Sequence, residues 1–167
     1  SLFLYNFFMK IFDDYIDLDS FRYLFDTISS DTFPWFYNDS KSSMDIDHVF
    51  NYQLVHRFYH DARITSAYYN ILLPIVEKMG VKALVRIKAN LNPPSNILVE
   101  YSKHKDQKFY CKAAIYYVNT NDGYTTIGNQ KIKSKANRIV FFDANELHSG
   151  TNSTDCKNRM VINFNYF

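Results

Sequence analysis

The chain has 167 residues, 47% of them hydrophobic, with 19 basic and 17 acidic side chains. This length and apolar content are typical of one globular domain and exclude a disordered segment. The net charge of +2 is too small and too dispersed to predict a nucleic-acid or membrane partner. We therefore expect a single domain over residues 1–167.

The composition also favours strands over helical bundles. There are 15 Phe and 14 Tyr against 4 Gly and 4 Pro, and aromatic residues are enriched in half-buried strands. Cys111 and Cys156 are too few for a secreted disulfide framework, so we expect a cytoplasmic location. The apolar segment 1–12 is interrupted by Asn6 and Lys10 and is too short to span a bilayer. Nothing in the sequence indicates the oligomeric state.

Two helices are predicted in the first part of the chain, about residues 1–81. Asp19 is a suitable N-cap for the first helix and Ser66 for the second. Pro74 would kink the second helix, and Gly80 would end it. The apolar residues that recur at helical spacing are Phe21, Leu24, Phe25, Ile28, Tyr69, Leu72, Leu73 and Val76.

Strand patterns replace the helical ones from about residue 82 onward, with a turn at Asn121-Asp122-Gly123. The predicted strands are 83–91, 97–103, 111–119, 138–142 and 158–167. Helices followed by strands indicate an α+β fold or a barrel backed by helices. We expect a helical part over about 1–81 and a β-barrel over about 82–167.

Alternation along the last predicted strand separates polar from apolar side chains. Arg159, Asn163 and Asn165 fall on one face together with Val161, because successive side chains of a strand point to opposite sides. The opposite face is apolar and needs a cover. If the N-terminal helices supply that cover, the polar face looks into the barrel, where Arg and Asn would form a binding site.

The predicted strand 83–91 repeats this pattern. Arg86, Lys88 and Asn90 share one face, opposite three apolar residues. The alternative is that both polar faces meet solvent, which antiparallel sheets allow. The alternation of side chains along these strands does not by itself exclude that alternative.

Three residues in the second half have the spacing of a metal site. His104 and Asp106 lie two positions apart and would present both side chains on one side of an extended segment. With His148 they match the two-histidine, one-carboxylate set that holds non-haem Fe(II) and leaves coordination positions open. Arg159 could hold the far carboxylate of a dicarboxylic cosubstrate on that iron. Each of these residues alone is weak evidence.

A rival candidate site contains His56, His60 and Asp61. On a helix, a spacing of four would place both imidazoles on one face. Arg57 stands where the His-Glu-x-x-His motif of metalloenzymes has Glu, and no further ligand is nearby. A substrate-contacting or surface role is the better interpretation of these histidines.

The run Ala114-Ile115-Tyr116-Tyr117-Val118-Asn119 resembles the strand that follows the metal motif in the prolyl-hydroxylase branch of the Fe(II)/2-oxoglutarate-dependent oxygenases. Further stretches resemble a group of compact members from phages and marine bacteria, namely 33–37, 86–91, 119–125, 137–143 and 159–166. The resemblance is strong over residues 86–167 and weaker upstream. It implies a double-stranded β-helix, a jelly-roll barrel of cupin type, with helices packed on one sheet.

The resemblance also implies roles for individual residues. His104, Asp106 and His148 would bind Fe(II), and Arg159 would pair with the distal carboxylate of 2-oxoglutarate. Tyr117 matches a family tyrosine that would donate a hydrogen bond to the same carboxylate. The implied reaction consumes O2 and 2-oxoglutarate, hydroxylates a prolyl, peptidyl or small-molecule substrate, and releases succinate and CO2.

Substrate contacts are assigned to the same polar faces. Asn163 and Asn165 lie beyond the arginine, where family members place residues near the substrate, and Arg86 and Asn90 are further candidates. Many members carry Ser at the position of Val161, so one hydrogen bond to the cosubstrate must come from elsewhere. The nucleobase-demethylase branch has a second Arg where this chain has Asn165, which disfavours nucleic-acid repair.

Two other functions stay open at this stage. A cupin-like barrel could bind a metal or a small ligand without 2-oxoglutarate turnover, and Arg159 would then be dispensable. An interaction module that has lost turnover is disfavoured, because all three potential metal ligands are present. The sequence does not identify the substrate. We expect substrate specificity to come from the loops around residues 36–64 and 91–96.

Overall fold

The computed structural model describes residues 9–39, 41 and 51–167. The helices are α1 (Leu18–Ser29), a short 3₁₀-helix (Tyr69–Leu72) and α2 (Leu73–Met79). The strands are β1 (Met9–Phe12), β2 (Phe36–Asn38), β3 (Gln53–His60), β4 (Arg63–Ile64), β5 (Leu84–Asn92), β6 (Lys112–Tyr117), β7 (Tyr124–Ile127), β8 (Gln130–Lys133), β9 (Arg138–Asp143), β10 (His148–Gly150) and β11 (Arg159–Tyr166).

These strands form two antiparallel sheets. The large sheet has the order β1-β9-β6-β11-β5-β3-β2, with β4 paired to β3. The small sheet has the order β10-β7-β8. The predicted class, mainly β with helices, is confirmed. The long strand β11 lies at the centre of the large sheet, between β6 and β5, so its two faces separate the two halves of the core.

One core lies between the helices and the large sheet. Leu24 and Ile28 of α1 and Ile75 of α2 pack in the same cluster as Ile162 and Phe164 of β11. Burying each such side chain contributes roughly 1.5–3 kcal/mol. The prediction that the helices cover the apolar face of the last strand is confirmed.

A second core lies between the two sheets. Ile127 and Ile132 of the small sheet pack with Ile115, Val140 and Val161 of the large sheet. The face of β11 that carries Arg159 therefore looks into the space between the sheets. This arrangement places the predicted polar face inside the molecule and not in solvent.

The caps of the helices differ in part from prediction. Asp17, not Asp19, caps α1, and its side chain accepts a hydrogen bond of 2.9 Å from the N–H of Ser20. Pro74 stands in the first turn of α2, where its missing N–H costs nothing, so it begins a helix instead of kinking one. Gly80, with φ of 62°, ends α2 as predicted.

The predicted division into a helical part over about 1–81 and strands over about 82–167 is wrong. The strands β1 to β4 all precede residue 82 and join the large sheet, with β3 directly beside β5. Sequence alternation missed β3 because two polar residues, Gln53 and His56, are buried in it. The predicted strand 97–103 is also wrong, since this segment makes only one isolated bridge, at Glu100.

Within the described residues, no helix is both long and apolar enough to cross a membrane. Cys111 is buried and Cys156 is half-buried, and neither forms a disulfide bond.

Candidate active site

A cavity of about 280 Å³ opens on the inner face of the large sheet. The predicted ligands His104, Asp106 and His148 all line it, as does Arg159. Three of the four predicted substrate residues line it as well, and they are Arg86, Asn90 and Asn163. Tyr117 and Asn165 are fully buried behind its wall.

The two histidines are cross-strand neighbours. His104 and His148 exchange both backbone hydrogen bonds, with N···O distances of 2.9 and 3.0 Å. The segment before His104 runs antiparallel to β10, where the N–H of Tyr101 donates to the carbonyl of Gly150 at 3.0 Å. The two imidazole centroids are consequently 4.7 Å apart.

The three side chains converge. One potential ligand atom from each lies within 4.8 Å of the other two. Nε2 of His148 is 3.5 Å and Nε2 of His104 is 3.7 Å from Oδ1 of Asp106. Each Nδ1 lies near a backbone carbonyl, that of Ser102 at 3.3 Å and that of Glu146 at 3.0 Å. These contacts direct both Nε2 atoms towards the carboxylate, as outer contacts of metal-bound histidines do.

The donor atoms of this group suit a cation. Burial alone would raise the pKa of Asp106, but the hydrogen bond and charge of His148, together with Arg86, hold that pKa well below its usual range. Burial lowers the pKa of His104. Two imidazole nitrogens and an ionised carboxylate oxygen therefore meet within a largely buried site, in which the exposed fraction of the side chain is 8% for Asp106 and 4% for His148. Such a donor set fits a divalent metal ion.

Asp106 is held from two sides. Nη2 of Arg86 lies 3.2 Å from Oδ1, and Nδ2 of Asn165 donates to Oδ2 at 3.2 Å. Gln107 in turn donates to Oδ1 of Asn165 at 3.4 Å. Asn165, which the sequence assigned to the substrate, thus contacts the carboxylate instead and is 0% exposed.

Arg159 is a buried cation without a carboxylate partner among the described residues. Its guanidinium donates to Oγ of Ser134 at 2.9 Å, to Oγ1 of Thr125 at 3.1 Å and to the carbonyl of Thr151 at 3.2 Å. Burial lowers its pKa. A guanidinium buried without an anion is costly, so this end of the cavity is suited to an anionic ligand.

Tyr117 lies next to this arginine. Its ring centroid is 5.9 Å from Cζ of Arg159. Its hydroxyl is buried and finds no hydrogen-bond partner in the described part of the chain, and burial raises its pKa. A buried hydroxyl without a partner is unusual in a native protein and is consistent with a bound group nearby.

One network at the site was not predicted. Glu100 accepts hydrogen bonds from the hydroxyls of Tyr124 at 2.8 Å, Thr126 at 2.5 Å and Ser149 at 2.9 Å. It thereby ties the segment that carries His104 to strands β7 and β10. Only cross-strand register brings these groups together, and no sequence spacing indicates them.

The rival histidine group is not a metal site. His56 lies on strand β3 and not on a helix; its Nδ1 donates to the carbonyl of Pro34 and its Nε2 accepts from Ser66, both at 2.7 Å. Burial lowers its pKa. His60 is half exposed and contacts Asp61. Both ring nitrogens of His56 are used, which gives it a structural role.

No protein-family model matches the sequence, and no curated protein is detectably similar to it. Solved structures are similar in fold. A prolyl-4-hydroxylase from Pseudomonas putida has a TM-score of 0.64 at 13% identity, over 96% of this chain and 93% of that one. A 2OG-Fe(II) oxygenase family oxidoreductase from Burkholderia pseudomallei has a TM-score of 0.68 at 9% identity, over 95% and 84%.

A third structure is a prolyl hydroxylase from Trichoplax adhaerens in complex with a hypoxia inducible factor oxygen degradation domain peptide fragment. Its TM-score is 0.63 at 12% identity, over 95% of this chain and 83% of that one. Identities this low establish the fold and leave the activity to be argued from the site. The chain therefore has the jelly-roll fold of the 2-oxoglutarate Fe(II) oxygenases, as the sequence resemblance predicts.

Proposed function

We propose that this protein is an Fe(II)- and 2-oxoglutarate-dependent dioxygenase that hydroxylates a small-molecule or peptide substrate and releases succinate and CO2. The observation that carries the proposal is that one cavity contains both a convergent His-Asp-His group and a buried arginine that has no anionic partner in the described part of the chain. The domain that performs this reaction spans residues 1–167.

His104, Asp106 and His148 would hold the ferrous ion. Three protein ligands leave coordination positions for a chelating cosubstrate and for O2. When bound, the iron supplies the activation of O2 that is coupled to decarboxylation of 2-oxoglutarate. Arg86 and Asn165 act as positioning residues, because their contacts of 3.2 Å fix the Asp106 carboxylate.

Arg159 would bind the distal carboxylate of 2-oxoglutarate. The pairing joins a buried guanidinium to a carboxylate, the strongest class of hydrogen bond in proteins. Tyr117 offers a buried hydroxyl without a partner beside this arginine. Thr125, which lines the cavity and accepts from the guanidinium, would supply the hydrogen bond that Val161 does not.

The same arrangement shields the reaction from water. The arginine is 2% exposed and the inner wall of the cavity is formed by buried strands of the large sheet. Of the three proposed metal ligands, only His104, 43% exposed, faces outward, so substrate would enter on its side. A peptide is one candidate class, by analogy with the prolyl hydroxylase that was solved with a peptide.

Succinate formation tests the proposal. The protein is incubated with Fe(II), 2-oxoglutarate and O2, alone and with panels of peptides and small acids, and succinate is quantified. We expect iron-dependent succinate that one panel stimulates, and none from Asp106→Ala with an unchanged circular-dichroism spectrum. Succinate formation by Asp106→Ala at the wild-type rate would contradict the assignment. Binding of iron without any succinate would favour a cupin-like ligand-binding barrel.

A further inference from the structure

The described residues that line the cavity carry far more positive than negative charge. Among the described residues that line it, Asp106 is the one acidic side chain. The basic residues that line it are Lys41, Arg86, Lys88, Lys105 and Arg159. A bound divalent ion would add to this excess, and 2-oxoglutarate would neutralise only part of it. Electrostatics therefore favours a second anion in the cavity.

Most of these cations already have a partner or an assigned role. Arg86 contacts Asp106 at 3.2 Å, and Arg159 is assigned to the cosubstrate. Lys41 lies 3.7 Å over the ring of Tyr101. Lys105 is exposed.

Lys88 differs from the others. It is half-buried in the wall of the cavity, and within the described residues its ammonium makes no ion pair or hydrogen bond. Burial, and then the charge of Arg86, lower its pKa to about 8. A half-buried ammonium beside a guanidinium is unfavourable unless an anion compensates for it.

The register of the sheet places Lys88 close to the metal ligands. It lies on β5 two residues from Arg86, on the same face and about 7 Å along the strand, and Arg86 contacts Asp106. Its cross-strand partner on β11 is Asn163. The charge of Lys88 acts on both Asp106 and His104. If Lys88 binds the anionic group of a small molecule, the rest of that molecule would lie next to the proposed metal ligands.

Two acceptors flank this position. The amide oxygens of Asn90 and Asn163 are buried and find no donor in the described part of the chain, although both side chains line the cavity. Asn90 lies on the same face of β5 as Lys88, two residues further. Carboxamide oxygens bind N–H and O–H groups. A ligand that pairs with Lys88 and with both amide oxygens has an anionic group next to hydrogen-bond donors.

We propose that Lys88 binds the carboxylate of the substrate, and that the substrate is a small polar acid of the amino-acid or hydroxy-acid type. This inference rests on the proposed function for its reaction but not for its anion site. The volume of about 280 Å³, which 2-oxoglutarate would share, is suited to a small acid and not to a folded peptide segment.

Binding of simple probes to the metal-free protein tests the anion site without turnover. Acetate, inorganic phosphate and neutral acetamide are titrated by NMR into wild type, Lys88→Met, Arg159→Gln and the exposed control Lys133→Met. We expect acetate to bind wild type, acetamide not to bind, and acetate affinity at Lys88→Met to fall about tenfold or more. Affinity should be retained in Lys133→Met, and part of it in Arg159→Gln. Phosphate binding tighter than acetate would overturn the carboxylate assignment in favour of a phosphate ester.

A second measurement guards against misfolding of the variant. Because Lys88→Met removes a charge that has no anionic partner among the described residues from a half-buried position, its melting temperature should equal or exceed that of wild type. Lys88→Arg keeps the charge and should keep acetate binding. Wild-type acetate affinity in Lys88→Met, with loss only in Arg159→Gln, would overturn the proposal.

The outcomes separate this inference from the proposed function. Lys88-dependent acetate binding in a protein that never forms succinate would keep the anion site and reject the oxygenase. Succinate formation stimulated by neutral amides as well as by their acids, with acetate binding unaffected in Lys88→Met, would keep the oxygenase and reject the anion site.

Discussion

His104 and His148 lie directly opposite each other across two strands and exchange two backbone hydrogen bonds of 2.9 and 3.0 Å. In such a pair the Cα atoms are about 5.5 Å apart, and here the rings are 4.7 Å apart. The separation of the two imidazoles is therefore set by the backbone ladder. Removing one ring should leave the other in place.

Replacement of His104 by Ala should abolish tight Fe(II) binding and leave the fold intact. The side chain is 43% exposed, so its loss costs little stability, while the metal loses one of three protein ligands. We expect affinity to fall roughly 100-fold or more. Anaerobic equilibrium dialysis measures it, with His60→Ala, also half exposed, as the matched control. Wild-type affinity in His104→Ala would reject the triad.

Replacement of Arg159 by Gln should weaken 2-oxoglutarate binding without affecting iron. Loss of one partner from a buried charge pair costs about 2–5 kcal/mol, so the dissociation constant should rise by about 30-fold or more. Anaerobic calorimetry on the iron-loaded protein measures it, and Arg63→Gln, at an exposed position of β4, is the control. Unchanged cosubstrate affinity would show that another residue binds the carboxylate.

Gly123→Ala should also weaken 2-oxoglutarate binding, although Gly123 has no side chain that could bind the cosubstrate. A Cβ at this position would lie 2.5 Å from Cδ of Arg159 and 2.5 Å from the carbonyl oxygen of Asn152, so the arginine must move. At Gly150 the nearest atom, Nη1 of Arg159, would be 3.5 Å away, and Gly150→Ala should have a much smaller effect. Equal effects of the two substitutions on 2-oxoglutarate affinity would contradict the proposed role of Gly123.

Asn165→Ala should lower iron affinity. The amide donates to Oδ2 of Asp106. Loss of such a contact to a metal ligand typically lowers metal affinity by about 10- to 100-fold. Iron affinity is measured by competition with a chromogenic chelator. A substrate-contacting role, which the sequence suggested, would instead change the substrate KM and leave iron affinity as in wild type.

Asp13→Asn should reduce stability at pH 7, and by a smaller amount at pH 3. Arg138 and then Lys135 hold the pKa of Asp13 well below its usual range. Because the pKa of Asp13 is lower in the folded than in the unfolded protein, its ionised carboxylate stabilises the fold above about pH 4. This stabilisation is lost progressively as the pH falls from there towards the folded-state pKa. With 37% of the side chain exposed, we expect no more than about 1 kcal/mol. Urea unfolding at pH 7 and pH 3 measures it, with exposed Asp31→Asn as control. A difference between wild type and Asp13→Asn that does not shrink at pH 3 would contradict this.

Local spacing explains what the sequence predicts well. His104 and Asp106 share one side of an extended segment whatever the rest of the fold does, and the alternation in β11 correctly separates Arg159 from the helix-covered face. These inferences need only the geometry of a strand.

Contacts that depend on the register between strands cannot be predicted from spacing along the sequence. Arg86 meets Asp106, and Asn165 lies behind it, only because β5 and β11 pair with Asn165 opposite Arg86. Strand β3 was missed because Gln53 and His56 are buried polar residues that interrupt the expected alternation. Glu100 was missed because its three hydroxyl partners come from two other strands.

The most direct test of the central claim, that His104, Asp106 and His148 hold Fe(II) and Arg159 holds 2-oxoglutarate in one cavity, is an anaerobic titration followed by visible absorption. The account predicts a metal-to-ligand charge-transfer band when 2-oxoglutarate is added to the Fe(II)-loaded protein. The band should be absent without either component and absent in His104→Ala. Demonstrated iron binding without any band at saturating 2-oxoglutarate would contradict the account.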